Sequence, residues 1–291
     1  MKKTFILMML SLYASYNYAQ GLILDGFMQK KGDIISALSF STENYDTYYV
    51  GEVKTQNPNL GTITTNSTSL YVVGGITDYL NVVVNLPYIS SKPSAGFWSP
   101  QSDFQDLSIF LKGRLFNHNF ESVGQFSLSA GLGYSTPISQ YIADAPISIG
   151  HQAKRTEFRL LVQHQLPMGL FIMAQGGYLH NYNVTIDRGY EVLVPDAFDF
   201  TARIGGNIKS FYADAWLSNQ IAKKGTNIGP GVPFPGNAIS FLRTGFNLYS
   251  TLPFVKNLGV SAGMGFTLSG ENIGKATRIS GGLVYKLSVL K

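Results

Sequence analysis

Residues 198–209, FDFTARIGGNIK, decide the fold. Phe198, Phe200, Ala202, Ile204 and Ile208 fall on one face, and Asp199, Thr201, Arg203, Asn207 and Lys209 on the other. A period of two means a strand with one apolar and one polar side. The pattern recurs along the whole chain, and too little helix signal exists to cover a sheet. The apolar side is therefore read as facing lipid and the polar side as facing an enclosed lumen.

Twelve such runs are read, over residues 33–41, 63–76, 80–88, 106–116, 121–135, 155–165, 170–182, 197–208, 211–221, 238–250, 258–268 and 277–287. Most have the length of a tilted membrane strand, about 9–11 residues or a little more. The gaps alternate. Residues 77–79, 117–120, 166–169, 209–210 and 251–257 are short links, whereas 42–62, 89–105, 136–154, 183–196 and 222–237 are long and rich in Gly, Pro, Asn and Ser; 269–276 is intermediate. Outer-membrane barrels place short turns in the periplasm and long loops outside. Starting in the periplasm, every long gap lands outside and every short one inside, and an even count returns the C-terminus to the periplasm. The expectation is an all-β, 12-stranded antiparallel transmembrane up-and-down β-barrel, with 10 or 14 strands as the alternatives.

Composition agrees. Charged residues are 13% of the chain, aromatics 13%, and there are 31 glycines; soluble proteins carry about 25% charge. The chain has no Cys, which removes disulfides and thiolate metal sites. Residues 1–19 read as a secretory signal, with Lys2 and Lys3 before the apolar run 4–12 and a cut before Gln20. Without Lys2 and Lys3, 20 basic and 17 acidic residues leave a net charge of +3. No basic cluster suits nucleic acid. Residues 20–32 are an N-terminal segment read as a partial plug, because Leu22, Ile23, Leu24 and Phe27 would otherwise be exposed; residues 33–291 are the barrel. The expected location is the bacterial outer membrane.

Tyr79, Tyr88, Phe116, Phe120, Tyr134, Tyr182, Phe211, Tyr249 and Tyr285 sit near strand ends, as in the aromatic girdles of such barrels. Parity points Lys112, Arg114, Arg159, Arg203, Lys209, Arg243, Arg278 and Lys286 inward, with Asp106, Glu157, Asp199 and Asp214. Two readings stand. Cross-strand ion pairs brace the wall, because a buried charge needs a partner, or the excess of cations makes a constriction that favours anions. Arg114, Arg159, Arg203 and Arg243 are the expected constriction. Trp216, Tyr71, Phe110, Phe241 and Met173 also point inward, either against a plug or as an apolar track for a solute.

Residues 63–88, ITTNSTSLYVVGGITDYLNVVVNLPY, carry a resemblance. The strand ending in a Gly-Ile-Thr-Asp turn, followed by a strand ending in Leu-Pro-Tyr, resembles the meta-pathway phenol-degradation family of outer-membrane barrels. Residues 105–116, QDLSIFLKGRLF, and 133–137, GYSTP, resemble its next strands. The resemblance covers the first half of the chain. It implies a channel for small, often hydrophobic compounds, distantly similar to the fatty-acid and toluene channels, but names no substrate. The chain departs from many outer-membrane barrels in lacking a terminal aromatic residue.

The functional expectation is passive passage or uptake of a small hydrophobic or weakly anionic molecule, without cofactor or catalysis. Expected partners are outer-membrane lipid, the solute and the barrel-assembly machinery. The alternatives are a structural or surface-interaction barrel and a lipid-processing hydrolase. The hydrolase lacks support: G-x-S-x-G is absent, and His118, His151, His164 and His180 have no nucleophile context.

Overall fold

The computed structural model describes residues 24–289. The signal reading and residues 20–23 lie outside the described residues. Twelve long strands close a barrel: β1 Asp33–Tyr45, β2 Ile63–Thr77, β3 Leu80–Pro93, β4 Asp106–Phe120, β5 Gly124–Pro137, β6 Arg155–Gln165, β7 Leu170–Asn181, β8 Ala197–Ile208, β9 Phe211–Ala222, β10 Ser240–Thr251, β11 Leu258–Glu271 and β12 Thr277–Ser288. Each pairs antiparallel with its neighbours in sequence. β1 pairs β2 and also β12, with Ala37 opposite both Tyr71 and Val284, so no edge remains. Closure pairs every long strand on both sides, the condition for strands in a bilayer.

Side-chain exposure alternates as the sequence pattern requires. On β8, Arg203 is 3% exposed and the next residue, Ile204, is 60% exposed. A polar residue buried beside a bare isoleucine inverts a soluble protein. Phe158, Leu160, Phe200, Leu217, Phe246 and Leu283 continue the outer apolar belt. Among the described residues no helix is long and apolar enough to cross a membrane, and the strands form the belt.

At one barrel end the links are short. Lys209 takes a left-handed φ of 57° in the tight β8–β9 turn and is exposed, so it does not face the lumen as expected. The second short link also differs. Residues 117–120 are strand, and the turn is 121–123, because a register shift between Arg114 and Phe116 adds a residue and keeps the ladder paired to Phe120 and Gly124. Phe116, His118 and Phe120 carry the alternation onward; Asn117 and Asn119 only look like turn formers. Tyr249 is a further correction. It is 5% exposed and packs in the lumen, on the same parity as buried Asn247, rather than in the outer girdle.

At the opposite end the long loops are folded. Residues 138–154 run as an extended strap whose Tyr141, Ala143, Ala145, Ile147 and Ile149 are buried. Tyr141 donates to Asp106, the Gln105 amide donates to the Ile149 carbonyl, and Asp144 accepts from Arg188 and from the Phe234 amide. Two small apolar clusters, one around Ile147 with Leu60 and Ile63 and one around Val194 with Val184 and Ile186, hold the loops together.

Candidate functional site

The lumen is divided. Near the short-turn end it is filled. The chain before β1 enters the barrel, burying Leu24, Asp25, Phe27 and Gln29. Leu24 and Phe27 pack in one cluster with Val73, Val83, Phe110, Leu161, Phe171, Met173 and Tyr212 from the inner wall. Phe27 meets Phe171 edge-on, 5.2 Å between centroids. Glycine makes the room: a Cβ on Gly131 would stand 2.3 Å from the Leu24 side chain. Phe110 and Met173, given two readings from sequence, are packing partners of this segment.

Polar ties fix the same segment. Lys112 is fully buried and donates to the Asp25 carboxylate at 3.1 Å, to the Asp25 carbonyl at 3.2 Å and to the Phe27 carbonyl. The Gln29 amide donates to Asn81, and the Asn81 side chain donates back to the Gln29 carbonyl.

Above this floor lies a tier of paired charges. Arg159 binds Glu157 at 2.8 Å and Asp199 at 3.3 Å, and Arg155 reaches Glu157 at 3.6 Å. Arg203 pairs with Asp214 at 3.4 Å, and Asp214 also accepts from Tyr212 and Asn247. Burial of these groups demands such pairing. At the short-turn mouth Lys286 meets Asp33 at 3.4 Å. Arg114 points inward and is half-buried.

Towards the loop end the lumen opens into a cavity of about 140 Å³, lined by Glu43, Trp216, Phe241, Arg243 and Arg278 among others. The register explains the grouping. Trp216 lies opposite Gly245, which lies opposite Gly265, which lies opposite Arg278, which lies opposite Glu43, on five consecutive strands. The two glycines form a bare wall under the indole: a Cβ on Gly265 would be 3.3 Å from the Trp216 ring, and one on Gly245 would be 2.5 Å from it. Arg243 lies over the Phe241 ring at 4.8 Å, donates to Thr267 and reaches Glu43 only at 3.7 Å. Arg278 donates to Ser41 at 2.8 Å. The buried Trp216 Nε1–H has no acceptor among the described residues.

The inward residues named from sequence thus fall into two groups. Lys112, Glu157, Arg159, Asp199, Arg203 and Asp214 are held in buried pairs at or above the floor, Asp199 also reaching the cavity wall. Trp216, Arg243 and Arg278 line the cavity with Phe241. Sequence reasoning missed Asp25 and Glu43, the partners of Lys112 and Arg243. Asp25 precedes the first strand, and Glu43 lies past the end at Ser41 read for β1, which runs to Tyr45. Its alternation through Thr42–Tyr45 was the available signal. Among the described residues no cluster suits a metal ion.

Neither a protein-family model nor a curated protein matches the chain significantly. Solved structures do. An outer membrane channel from Pseudomonas putida F1 superposes with a TM-score of 0.73 at 15% identity, over 89% of this chain and 97% of that one. The NanC porin gives 0.51 at 8% identity, over 86% and 100%. At these identities the likeness is one of fold: the chain has the barrel architecture of outer-membrane channels.

Proposed function

We propose that the protein is a bacterial outer-membrane channel, exported by residues 1–19, with its short turns in the periplasm and its long loops outside. Its solute is a small amphiphilic anion of about one aromatic ring. The carrying observation is the cavity on the loop side. An engineered apolar cavity of about 150 Å³ binds benzene, so about 140 Å³ admits a solute of that size. Trp216 and Phe241 offer flat faces, and Arg243, Arg278 and the unpaired indole N–H offer donors to a carboxylate. Glu43 and Asp199 are the acids that line the cavity, and Asp199 is held by Arg159. The arrangement accords with the resemblance to phenol-degradation barrels and with a channel fold, and needs no catalytic group.

Benzoate is the probe. In a Trp98→Phe background Trp216 is the sole tryptophan, since the chain has two. Benzoate should shift its emission saturably. Arg243→Gln with Arg278→Gln should weaken that binding at least about tenfold, the effect of losing about 1.4 kcal/mol. Planar bilayers should show current steps that benzoate reduces. Silent bilayers in every salt, together with an unresponsive Trp216, would make the chain a structural barrel.

A further inference from the structure

A second site lies on the outside of the barrel, away from the lumen. At the loop end of β7, Tyr178, His180 and Tyr182 share the outward parity of exposed Ile172. Phe198 on β8 and Lys223, just after β9, face the same way. Between them and the loops above runs a groove of about 580 Å³, lined by His180, Tyr182, Leu193, Asp196, Lys223 and Lys224 among others. Lys223 Nζ sits 5.1 Å from the Tyr178 ring centroid and 6.0 Å from that of Phe198. Lys154 is exposed beside the groove on the neighbouring strand end, where its carbonyl accepts from the Tyr182 amide.

Charge in the groove is not balanced internally. Asp196 is occupied: it accepts from the Tyr178 hydroxyl, His180 Nδ1 and the Asn181 amide. Glu191 is the other acid at the groove, against three lysines. The two ring contacts and a hydrogen bond with the Tyr178 hydroxyl hold the Lys223 ammonium at the groove. Directly below, Phe158, Phe200 and Ile221 are exposed apolar residues of the belt. Cations at the rim of an apolar belt, flanked by aromatic rings, match a lipid with anionic headgroup oxygens above and acyl chains below.

We propose that this face binds the phosphorylated glucosamine headgroup of lipopolysaccharide in the outer leaflet. The three lysines and the groove take the phosphates and sugars, and Phe158, Phe200 and Ile221 take the acyl chains. A phosphoglycerolipid is disfavoured by the place of the cations, which stand at the loop end, and by the groove, which is wide for one phosphate. The inference rests on the membrane placement proposed above and is independent of the channel.

The test uses the full mature protein in dodecyl maltoside, with bis-phosphorylated lipid A, monophosphoryl lipid A and phosphatidylglycerol, read by native mass spectrometry. Bis-phosphorylated lipid A should bind best. Lys154→Gln/Lys223→Gln/Lys224→Gln should weaken it at least about tenfold, the loss of about 1.4 kcal/mol. Lys223→Arg should keep the binding, and heat-modifiable gel mobility should show both variants folded. Equal retention of lipid A by the triple variant, or phosphatidylglycerol binding as tightly as lipid A, overturns the proposal. Failure of the purified barrel to insert into liposomes would strike the membrane placement instead.

Discussion

The tie between Asp25 and Lys112 sets whether the segment before β1 stays in the barrel. The two side chains are 3% and 1% exposed. Burying Leu24 and Phe27 contributes about 1.5–3 kcal/mol each. Ordering the chain from Leu24 to Gly32 costs about 1–2 kcal/mol per residue, so these two anchors alone do not hold it. Removing one partner of a buried ion pair costs about 3–5 kcal/mol, because the other is left charged and dry. Lys112 keeps its two carbonyl acceptors only while the segment is docked, so Asp25→Ala should act on docking. At about 1.4 kcal/mol per factor of ten, even 3 kcal/mol shifts the docked-to-free ratio about a hundredfold. Planar-bilayer recordings should show the open fraction of Asp25→Ala rising by about that factor. Protease added at the short-turn side should then cut before Asp33. Replacing both partners with apolar side chains, Asp25→Leu with Lys112→Met, should return the open fraction towards that of the wild type, because no orphan charge remains. An Asp25→Ala protein with unchanged open fraction and unchanged cleavage would refute the reasoning.

Two further outcomes follow from other parts of the structure. Gly265→Val puts a branched side chain against the Trp216 ring, where a Cβ alone would already be 3.3 Å away; benzoate binding should fall at least about tenfold while gel mobility stays that of a folded barrel, and unimpaired binding would place the solute elsewhere. In the outer strap, burial and then the nearby Arg155 lower the His151 pKa to about 4 from 6.5. The unfolded strap takes up a proton as pH falls through 6.5 and the folded one only near 4, so stability is lost on acidification across that window, by roughly 2–3 kcal/mol for a half-buried ring. Proteolysis within residues 138–154 should therefore accelerate between pH 7 and pH 4.5 in the wild type, whereas His151→Gln should lose that dependence.

Much of the barrel was legible because its physics is local. Period-two alternation needs no knowledge of a partner strand, and ten of the twelve strand starts coincide with those read from residues alone; β5 and β10 begin three and two residues later, and β1, β3 and β4 run four or five residues past the ends that were read. Trp216, Arg243 and Arg278 were placed inward by counting parity from an apolar neighbour. Parity failed where the backbone departs from the pleat. The extra residue after Arg114 moved a turn, and the positive φ of Lys209 removed it from the wall. Pairing was the larger blind spot. Lys112 meets Asp25 across 87 positions of sequence, and nothing near either residue announces the other. The apparent surplus of inward cations therefore shrank once Asp25 and Glu43 joined and Lys209 left.

What surplus survives is unevenly placed, and that bears on how a channel of this shape would work. Below, the guanidiniums of Arg159 and Arg203 are neutralised by carboxylates in contact, so an anion arriving there would have to break a buried pair at a cost of several kcal/mol. Above, Arg243 and Arg278 face a cavity lined by two acids: Glu43, reached by Arg243 only at 3.7 Å, and Asp199, which is held by Arg159. Attraction is thus concentrated where a solute would enter from the loop side, and the deeper wall offers it no competing trap. On the channel reading, selection and passage are then separate events: the cavity-lining Arg243, Arg278 and Trp216 choose the solute, and displacement of the segment tied by Asp25 admits it. A substitution at Arg243 should change which solutes bind without raising the open fraction, and one at Asp25 should do the reverse.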